Sequence, residues 1–378
     1  MGMSWESVRS HFPVMEHTTY LNSSAVGPMP DFLADAHLRA FQNRVSGPRR
    51  DDAALAQQRA GRERMAQYLR VSPDDLAFMG TTTEAINIVA HSLSWQTGDE
   101  VVVHDHDFPS NLLPWVRLRE RGVVVKQARS DGGRLSVQAV LDQVTARTRV
   151  VALSHVFYQT GYRVDLDALG AELHRRGVLL SVDGIQALGL IRPSLTHVDF
   201  YMGATFKSLL GSFGLAMLYV RPDVADRLIP SMVGYASLIS EEIPSPGEPF
   251  VYKAGAQRFQ LSHVNTPGLY VLADTLEFFE SLGWDAITDR VLALSGSLVE
   301  ALDHVAGVTV ITPRESSARL GIVAFDVDGL DSEEVVGRLD QAGIVCAARE
   351  GHVRASVHVY NNEADVMHLV RTVADLAR

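Results

Sequence analysis

Cysteine is nearly missing from this chain: of 378 residues, only Cys346 carries a thiol. One thiol excludes an internal disulfide and suits a reducing compartment, so a cytoplasmic protein is expected. Lysine is almost as scarce, occurring only as Lys126, Lys207 and Lys253 although lysine and arginine together number 34. The cations are not gathered into a basic run and the formal charge is −11, which argues against nucleic acid as a partner. Long apolar runs are absent too, and MGMSWESVRSHF lacks the apolar core of a signal peptide, so no membrane partner is expected. There is no G-x-G-x-x-G, and Lys207-Ser208 follows Phe206 where a phosphate-cradling P-loop needs glycine. His104, Asp105, His106 and Asp107 look like metal ligands as a string. Strand neighbours point to opposite faces, however, and no second cluster completes a tetrahedral site, so no metal is expected.

What is present is ordinary for a soluble enzyme, with 46% hydrophobic and 21% charged residues and length enough for two cores. The informative stretch runs from Gly177 to Gly214. Val178 to Val182 read as a buried parallel strand ending at Asp183, and Val198 to Met202 as a second, ending at Gly203 and delivering Lys207. Ligands of open parallel sheets sit beyond the carboxyl ends of the strands, so Asp183 and Lys207 are expected to face one crevice. A carboxylate and an amine in one crevice are the minimum equipment for pyridoxal phosphate: the lysine forms the Schiff base and the acid keeps the ring nitrogen protonated. Lys207 is preferred among the lysines because it follows a buried strand and sits among Gly203, Gly211 and Gly214, where backbone can approach a ligand. Lys126 reads as a strand-edge residue and Lys253 as a surface one.

The rest of the chain organises around that stretch. Residues 1–19 read as an arm. Thr81 and Glu84 have capping-box spacing, and the helix start they mark, with Thr82 and Thr83 beside it, is a candidate phosphate seat. From Asp99 strands EVVVHD, VVVKQA and VVALSHV alternate with helices, which specifies a parallel sheet covered on both faces. This gives a large α/β domain over residues 20–280, closing with a helix that starts at Thr266 and Pro267. Residues 281–378 read as a smaller α+β domain, with strands VTVIT, LGIVAFDV, IVCAA and HVRASVHVY. His155 in SHVFY either orients a ligand or is a satisfied core histidine.

These motifs, in this order, resemble the class V aminotransferase family, the fold-type I pyridoxal-phosphate group that includes cysteine desulfurases, kynureninase and isopenicillin N epimerase-like proteins. The likeness runs from YLNSSAVGP to VRASVHVYNNEADV. It implies a fold-type I transferase-like architecture, with a mostly parallel seven-stranded sheet, a smaller carboxyl-terminal domain, and a homodimer whose active site lies at the interface. It implies that Thr82 and Thr83 hold the cofactor phosphate, that Phe108 stacks on the pyridine face, and that Gln186 bonds the ring hydroxyl. Asp183 would pair with the ring nitrogen and Lys207 would be the Schiff-base lysine. Arg354 would bind the substrate carboxylate, with Arg349 near it. RFQLSHVNTPG resembles the loop that reaches the neighbour's phosphate, and keeps Asn265 while Ser262 and His263 stand where Gly and Thr are usual. Ala204 and Phe206 replace the usual Ser and His before the lysine, which leaves Thr205 as the candidate phosphate hydroxyl.

The resemblance leaves several reactions at Cα of an amino acid or amino-acid conjugate. In desulfurases the nucleophilic cysteine follows an arginine like Arg349, whereas Cys346 precedes it, inside an expected strand; a buried free cysteine is more often a small hydrophobe. No second lysine is evident for two-base epimerisation. The favoured expectations are β-elimination of a carbon–sulfur bond or transamination, with desulfuration and epimerisation as alternatives. The competing class is a binding protein that kept the fold and lost the chemistry.

Overall fold

The computed structural model describes residues 3–47, 52–239 and 244–378. Met1 and Gly2 of the expected arm lie outside the described residues. The strands are β1 (Thr19–Tyr20), β2 (Leu76–Met79), β3 (Glu100–His104), β4 (Val124–Ala128), β5 (Thr148–Ser154), β6 (Leu179–Asp183), β7 (Phe200–Ala204), β8 (Ala216–Val220), β9 (Val308–Val310), β10 (Ile322–Val327), β11 (Ile344–Val345), β12 (Ala347–Arg349) and β13 (His352–Ser356).

Seven of them form one sheet in the order β2-β8-β7-β6-β5-β3-β4. Pairing is parallel from β7 through β6, β5 and β3 to β4, while β8 runs antiparallel to both β7 and β2. β8 is the strand that the motif reading passes over; its run AMLYV follows the Gly-rich turn after Lys207 directly, with no crossover helix to announce it. The alternation of side chains along each strand divides the interior in two. Val102, Val151, Leu153 and Tyr201 enter one apolar cluster, and Val101, Val103, Ala152, Phe200 and Met202 the other. Period-2 sorting of unbroken apolar runs is what a sheet covered on both faces requires. Lys126 is on the edge strand β4, where its amine reaches Glu100 at 3.0 Å.

The carboxyl-terminal strands form a second sheet, β12-β13-β10-β9, all antiparallel. The expected strand IVCAA is split by Cys346. Ile344 and Val345 pair in parallel with β1, and Ala347 to Arg349 turn into the hairpin with β13. The amino-terminal segment is therefore docked on the carboxyl-terminal part, where Arg9 also pairs with the buried Asp365 at 2.6 Å. Among the described residues no helix is long and apolar enough to cross a membrane.

Helix starts follow the sequence closely. Thr81 caps Thr82–Ser92 by accepting the Glu84 amide at 3.0 Å, while Glu84 accepts from Gly80 at 2.9 Å. The long helix is Thr266–Leu282, and its cap is Asn265, one residue before the expected start.

Candidate active site

Because β2, β3, β5, β6 and β7 all run the same way, the segments that follow them converge at one edge of the sheet. Thr82 and Thr83 follow β2, Phe108 follows β3, Tyr158 follows β5, Asp183 closes β6 and Lys207 lies past β7. With Gln186, Arg349 and Arg354 they line a cavity of about 410 Å³. Clefts of about 450 and 600 Å³ occur elsewhere, so the chemistry of the walls and not the volume selects this one.

Asp183 is 3% exposed, and its Oδ1 accepts the Ile185 amide at 2.9 Å. Burial pushes its carboxyl well above the usual range; the amide and Lys207 oppose this, and Asp107 adds to it. Burial also draws the Lys207 amine down, against the pull of Asp183 and with the push of Arg354 and Arg349. For both groups desolvation outweighs their mutual attraction, raising the pKa of the acid and lowering that of the amine. The Lys207 amine has no ion pair or hydrogen bond among the described residues; Nζ stands over the Phe108 ring, 5.5 Å from the centroid. Phe108 is 41% exposed and meets Tyr158 edge-on, with centroids 5.2 Å apart.

Two polar side chains of the cavity wall keep a buried atom without a protein partner. Gln186 donates from Nε2 to the Ser24 carbonyl at 3.0 Å, which fixes the amide's orientation and leaves Oε1 buried and unpartnered. Arg354 is 2% exposed; Nη1 donates to the Tyr158 carbonyl at 2.9 Å and Nε has no partner. Burial, and then Arg349, draw its guanidinium down to about 10. Thr82 and Thr83 stand in the first turn of their helix, whose leading amides lack intrahelical acceptors. The Thr82 hydroxyl accepts the Ala204 amide at 2.8 Å, and the Thr83 hydroxyl donates to Ser110 at 2.9 Å.

Thr205, Asn265 and His155 do not line this cavity. Thr205 is fully buried in the turn before Lys207, its hydroxyl donating to the Ser212 carbonyl at 2.9 Å, so it does not line the cavity. Asn265 accepts from Gly268 at 3.1 Å and donates to the Phe213 carbonyl at 2.8 Å, which occupies both ends of its amide in capping a helix. His155 lies behind the wall with Nδ1 3.1 Å from the Tyr201 hydroxyl, and burial lowers its pKa to about 3. The satisfied-core reading of His155 therefore fits its surroundings. Of the expected glycines only Gly214 lines the cavity; a Cβ on Gly211 would lie 2.7 Å from Thr205, and one on Gly203 2.5 Å from Leu188. Gly27 of the SSAVGP motif has the opposite use: a Cβ there would come within 2.2 Å of the Lys207 carbonyl, so glycine lets the amino-terminal loop seat the lysine's turn.

Tyr158 is among the cavity residues that the sequence did not reveal. Its hydroxyl donates to Glu350 at 3.0 Å while its carbonyl receives Arg354, so it links the loop after β5 to the β12–β13 hairpin. Cys346 lies outside the cavity lining, is 7% exposed, and has its thiol pushed up to about 12 by burial.

A seven-stranded, mostly parallel sheet with a buried acid and an unpartnered lysine at its carboxyl edge defines a class, and the comparisons agree: the chain belongs to the class-V aminotransferase family, whose model matches residues 19–369. The chain is similar to a probable cysteine desulfurase of Methanothermobacter thermautotrophicus, at 27% identity over 99% of this chain and 98% of that one. Its fold matches the apo structure of a cysteine desulfurase from Thermococcus onnurineus NA1, with TM-score 0.91 at 24% identity over 100% of this chain and 99% of that one. It also matches the cystine C–S lyase C-DES in complex with its reaction product cysteine persulfide, with TM-score 0.88 at 23% identity over 96% of this chain and 99% of that one. A mutant of C-DES, with TM-score 0.88 at 23% identity over 97% of this chain and 99% of that one, has glycine covalently linked to its PLP cofactor.

Proposed function

We propose that this chain is a pyridoxal 5'-phosphate enzyme that breaks a carbon–sulfur bond of a cysteine-type amino acid by β-elimination. The cavity fits the cofactor: Gln186 Oε1 is a buried acceptor without a donor, Asp183 is a buried acid at the edge, and Phe108 offers a flat face. Lys207 would hold the cofactor covalently. Thr82, Thr83 and the first amides of their helix would hold its phosphate. Asp183 would face the ring nitrogen and Gln186 the ring hydroxyl. When bound, the cofactor supplies an electron-accepting ring that weakens the bonds at the substrate Cα.

The chain's own groups supply the rest. Arg354, with Arg349 beside it, orients the substrate by its carboxylate, a pairing that suits a guanidinium fork. Freed when the substrate's amine takes its place, Lys207 Nζ, its pKa drawn down by burial, takes the Cα proton. Asp183 keeps a negative charge next to the ring once a cation faces it. The sulfur then leaves Cβ with the carbon–sulfur electron pair and takes up the proton held by Lys207 as a thiol, and water hydrolyses the released unsaturated amine to pyruvate and ammonia.

The observation that carries this reading over its relatives' names is the position of Cys346. Desulfuration needs a thiolate at the substrate sulfur, and the sole thiol is buried off the cavity with a raised pKa. The names of the relatives favour a second reading, desulfuration, which yields alanine and a persulfide. Incubation with cysteine, with S-alkyl cysteines and with keto acids separates the possibilities. Pyruvate, ammonia and the free thiol support elimination; a new amino acid means transamination, and alanine from cysteine means desulfuration. A protein that stays colourless with added cofactor would be a binder that lost the chemistry.

The finer expectations belong here as well. We take the working form as a cytoplasmic homodimer. Exposed apolar side chains support the dimer, among them Phe213 at 63% on the cavity wall and Ile229 at 70%. With Asn265 engaged in its cap, Ser262 and His263 are the exposed polar groups of that loop that could approach a neighbour's phosphate. The division into residues 1–19, 20–280 and 281–378 is supported by a separate sheet in each of the two larger parts.

A further inference from the structure

One buried carboxylate joins two parts of the cavity wall that the proposed function uses separately. Asp107 is 6% exposed and accepts four hydrogen bonds. Its Oδ1 takes the Phe108 amide at 2.7 Å and the Ser154 hydroxyl at 2.6 Å. Its Oδ2 takes Asn111 Nδ2 at 2.9 Å and the Ser154 amide at 2.9 Å. All four partners are donors, so only a group that accepts on both atoms suits the site. The isosteric amide would turn its own NH₂ toward donors. Burying such a charge is unfavourable without this many bonds, and burial does push the Asp107 carboxyl up.

The partners matter as much as the count. Phe108 caps the helix Pro109–Arg117 and presents its ring to Lys207. Ser154 ends β5 and is in register with Asp183 on β6. One side chain is thus bonded to the residue that carries the aromatic face and to the strand position beside the acid. We infer that Asp107 is a positioning residue, fixing the Phe108 ring relative to Asp183 so that a flat heterocycle seats its face and its nitrogen edge together. The inference rests on the cofactor part of the proposed function and not on carbon–sulfur cleavage.

A double-mutant cycle on cofactor binding tests it without any substrate. The full chain, stripped and titrated with pyridoxal phosphate, is followed by visible absorbance and by the circular dichroism induced in the cofactor band. Phe108→Ala is expected to weaken binding on the order of tenfold. Asp107→Asn should do about the same and diminish the induced dichroism. In the Phe108→Ala background it should add less than about twofold, because the ring it positions is gone. If the two losses multiply, or if Asp107→Asn keeps wild-type affinity and dichroism per bound cofactor, Asp107 is only a structural acid and the inference fails. Should Asp107→Asn not fold, Ser154→Ala removes one donor alone and takes its place in the cycle, with an expected loss of about threefold that vanishes beside Phe108→Ala. A wild-type chain that binds no cofactor overturns this inference with its premise, while absence of carbon–sulfur cleavage leaves the cycle readable.

Discussion

The two ends of the large sheet hold similar clefts and treat charge in opposite ways. At the amino ends of β5, β6 and β7 a cleft of about 450 Å³ is lined by Arg149, His174, Asp199, Arg221, Asp223 and Arg227. There the ions are paired: Arg221 with Asp199 at 2.9 Å and Asp223 at 2.7 Å, and Arg149 with Asp99 at 3.1 Å. At the carboxyl ends the cavity is about as large, yet Lys207 has no ion pair among the described residues and Arg354 Nε and Gln186 Oε1 are orphaned. Paired charges within a fold hold it together; charges held apart on a cavity wall are available to pair with a ligand. The difference is between structure and function, and it can be broken at either end.

The largest effect is expected at Asp183. Asp183→Asn keeps the shape and deletes the anion, and turnover should fall by roughly a thousandfold or more, read as kcat/KM with a sulfur-leaving substrate. The cofactor-free protein should respond in the opposite sense. Its folded Asp183 has a raised pKa, so the stability contributed by that proton is complete below the ordinary carboxylate value of about 4 and is lost as pH climbs through the raised one. The mutant lacks this loss. Its stability relative to wild type in urea should therefore increase with pH over that window; a difference independent of pH would mean that the Asp183 pKa is not raised in the cofactor-free protein.

Asp183 and Lys207 were legible in the sequence because each sits at the end of an apolar run whose direction the βα alternation fixes. Once the strands are parallel, the ends must coincide. What the sequence could not say is which hydroxyl or amide is already engaged. Thr205 stands two residues from Lys207 and looks available, but its hydroxyl is bonded to Ser212 across the turn. Asn265 looks like a ligand residue, and a carbonyl of Phe213 takes its amide. Tyr158 was missed for the complementary reason. Its contacts, Glu350 and Arg354, come from a hairpin nearly two hundred positions away, which no local pattern encodes. The break at Cys346 was hidden likewise, since IVCAA reads as one strand and only the partner strands, β1 and β13, divide it.

The second effect in size is expected at Arg354. Arg354→Ala should raise KM for the amino-acid substrate on the order of a hundredfold and leave the cofactor's absorbance in place. Loss of the cofactor instead would move Arg354 from the substrate to the cofactor. At the other end of the sheet the comparison calls for the reverse outcome. Arg221→Met strands the buried Asp199, whose carboxyl burial already pushes up to about 6. It should lower stability by about 2–3 kcal/mol in chemical denaturation, below the full value of a buried pair because Arg221 is partly solvated. Turnover should stay within about twofold, and a large kinetic defect would show the two ends to be coupled.

The smallest effect is expected at Cys346, and it is the most discriminating. The thiol is buried between β11 and β12, near enough to Arg354 for that charge to draw its pKa down, yet desolvation prevails and leaves it at about 12. A thiol with that pKa is almost wholly protonated at neutral pH and is a poor nucleophile. Cys346→Ala should therefore behave as a small core truncation, with a cost of about 1 kcal/mol in denaturation and pyruvate formation within about twofold of wild type. If sulfur transfer takes place on this thiol, the same substitution abolishes it and the wild-type product is alanine. The cavity would then have to open toward Cys346 during turnover, and the contrast between an edge of the sheet with unpaired charges and a settled interior would fail at the one residue that separates elimination from desulfuration.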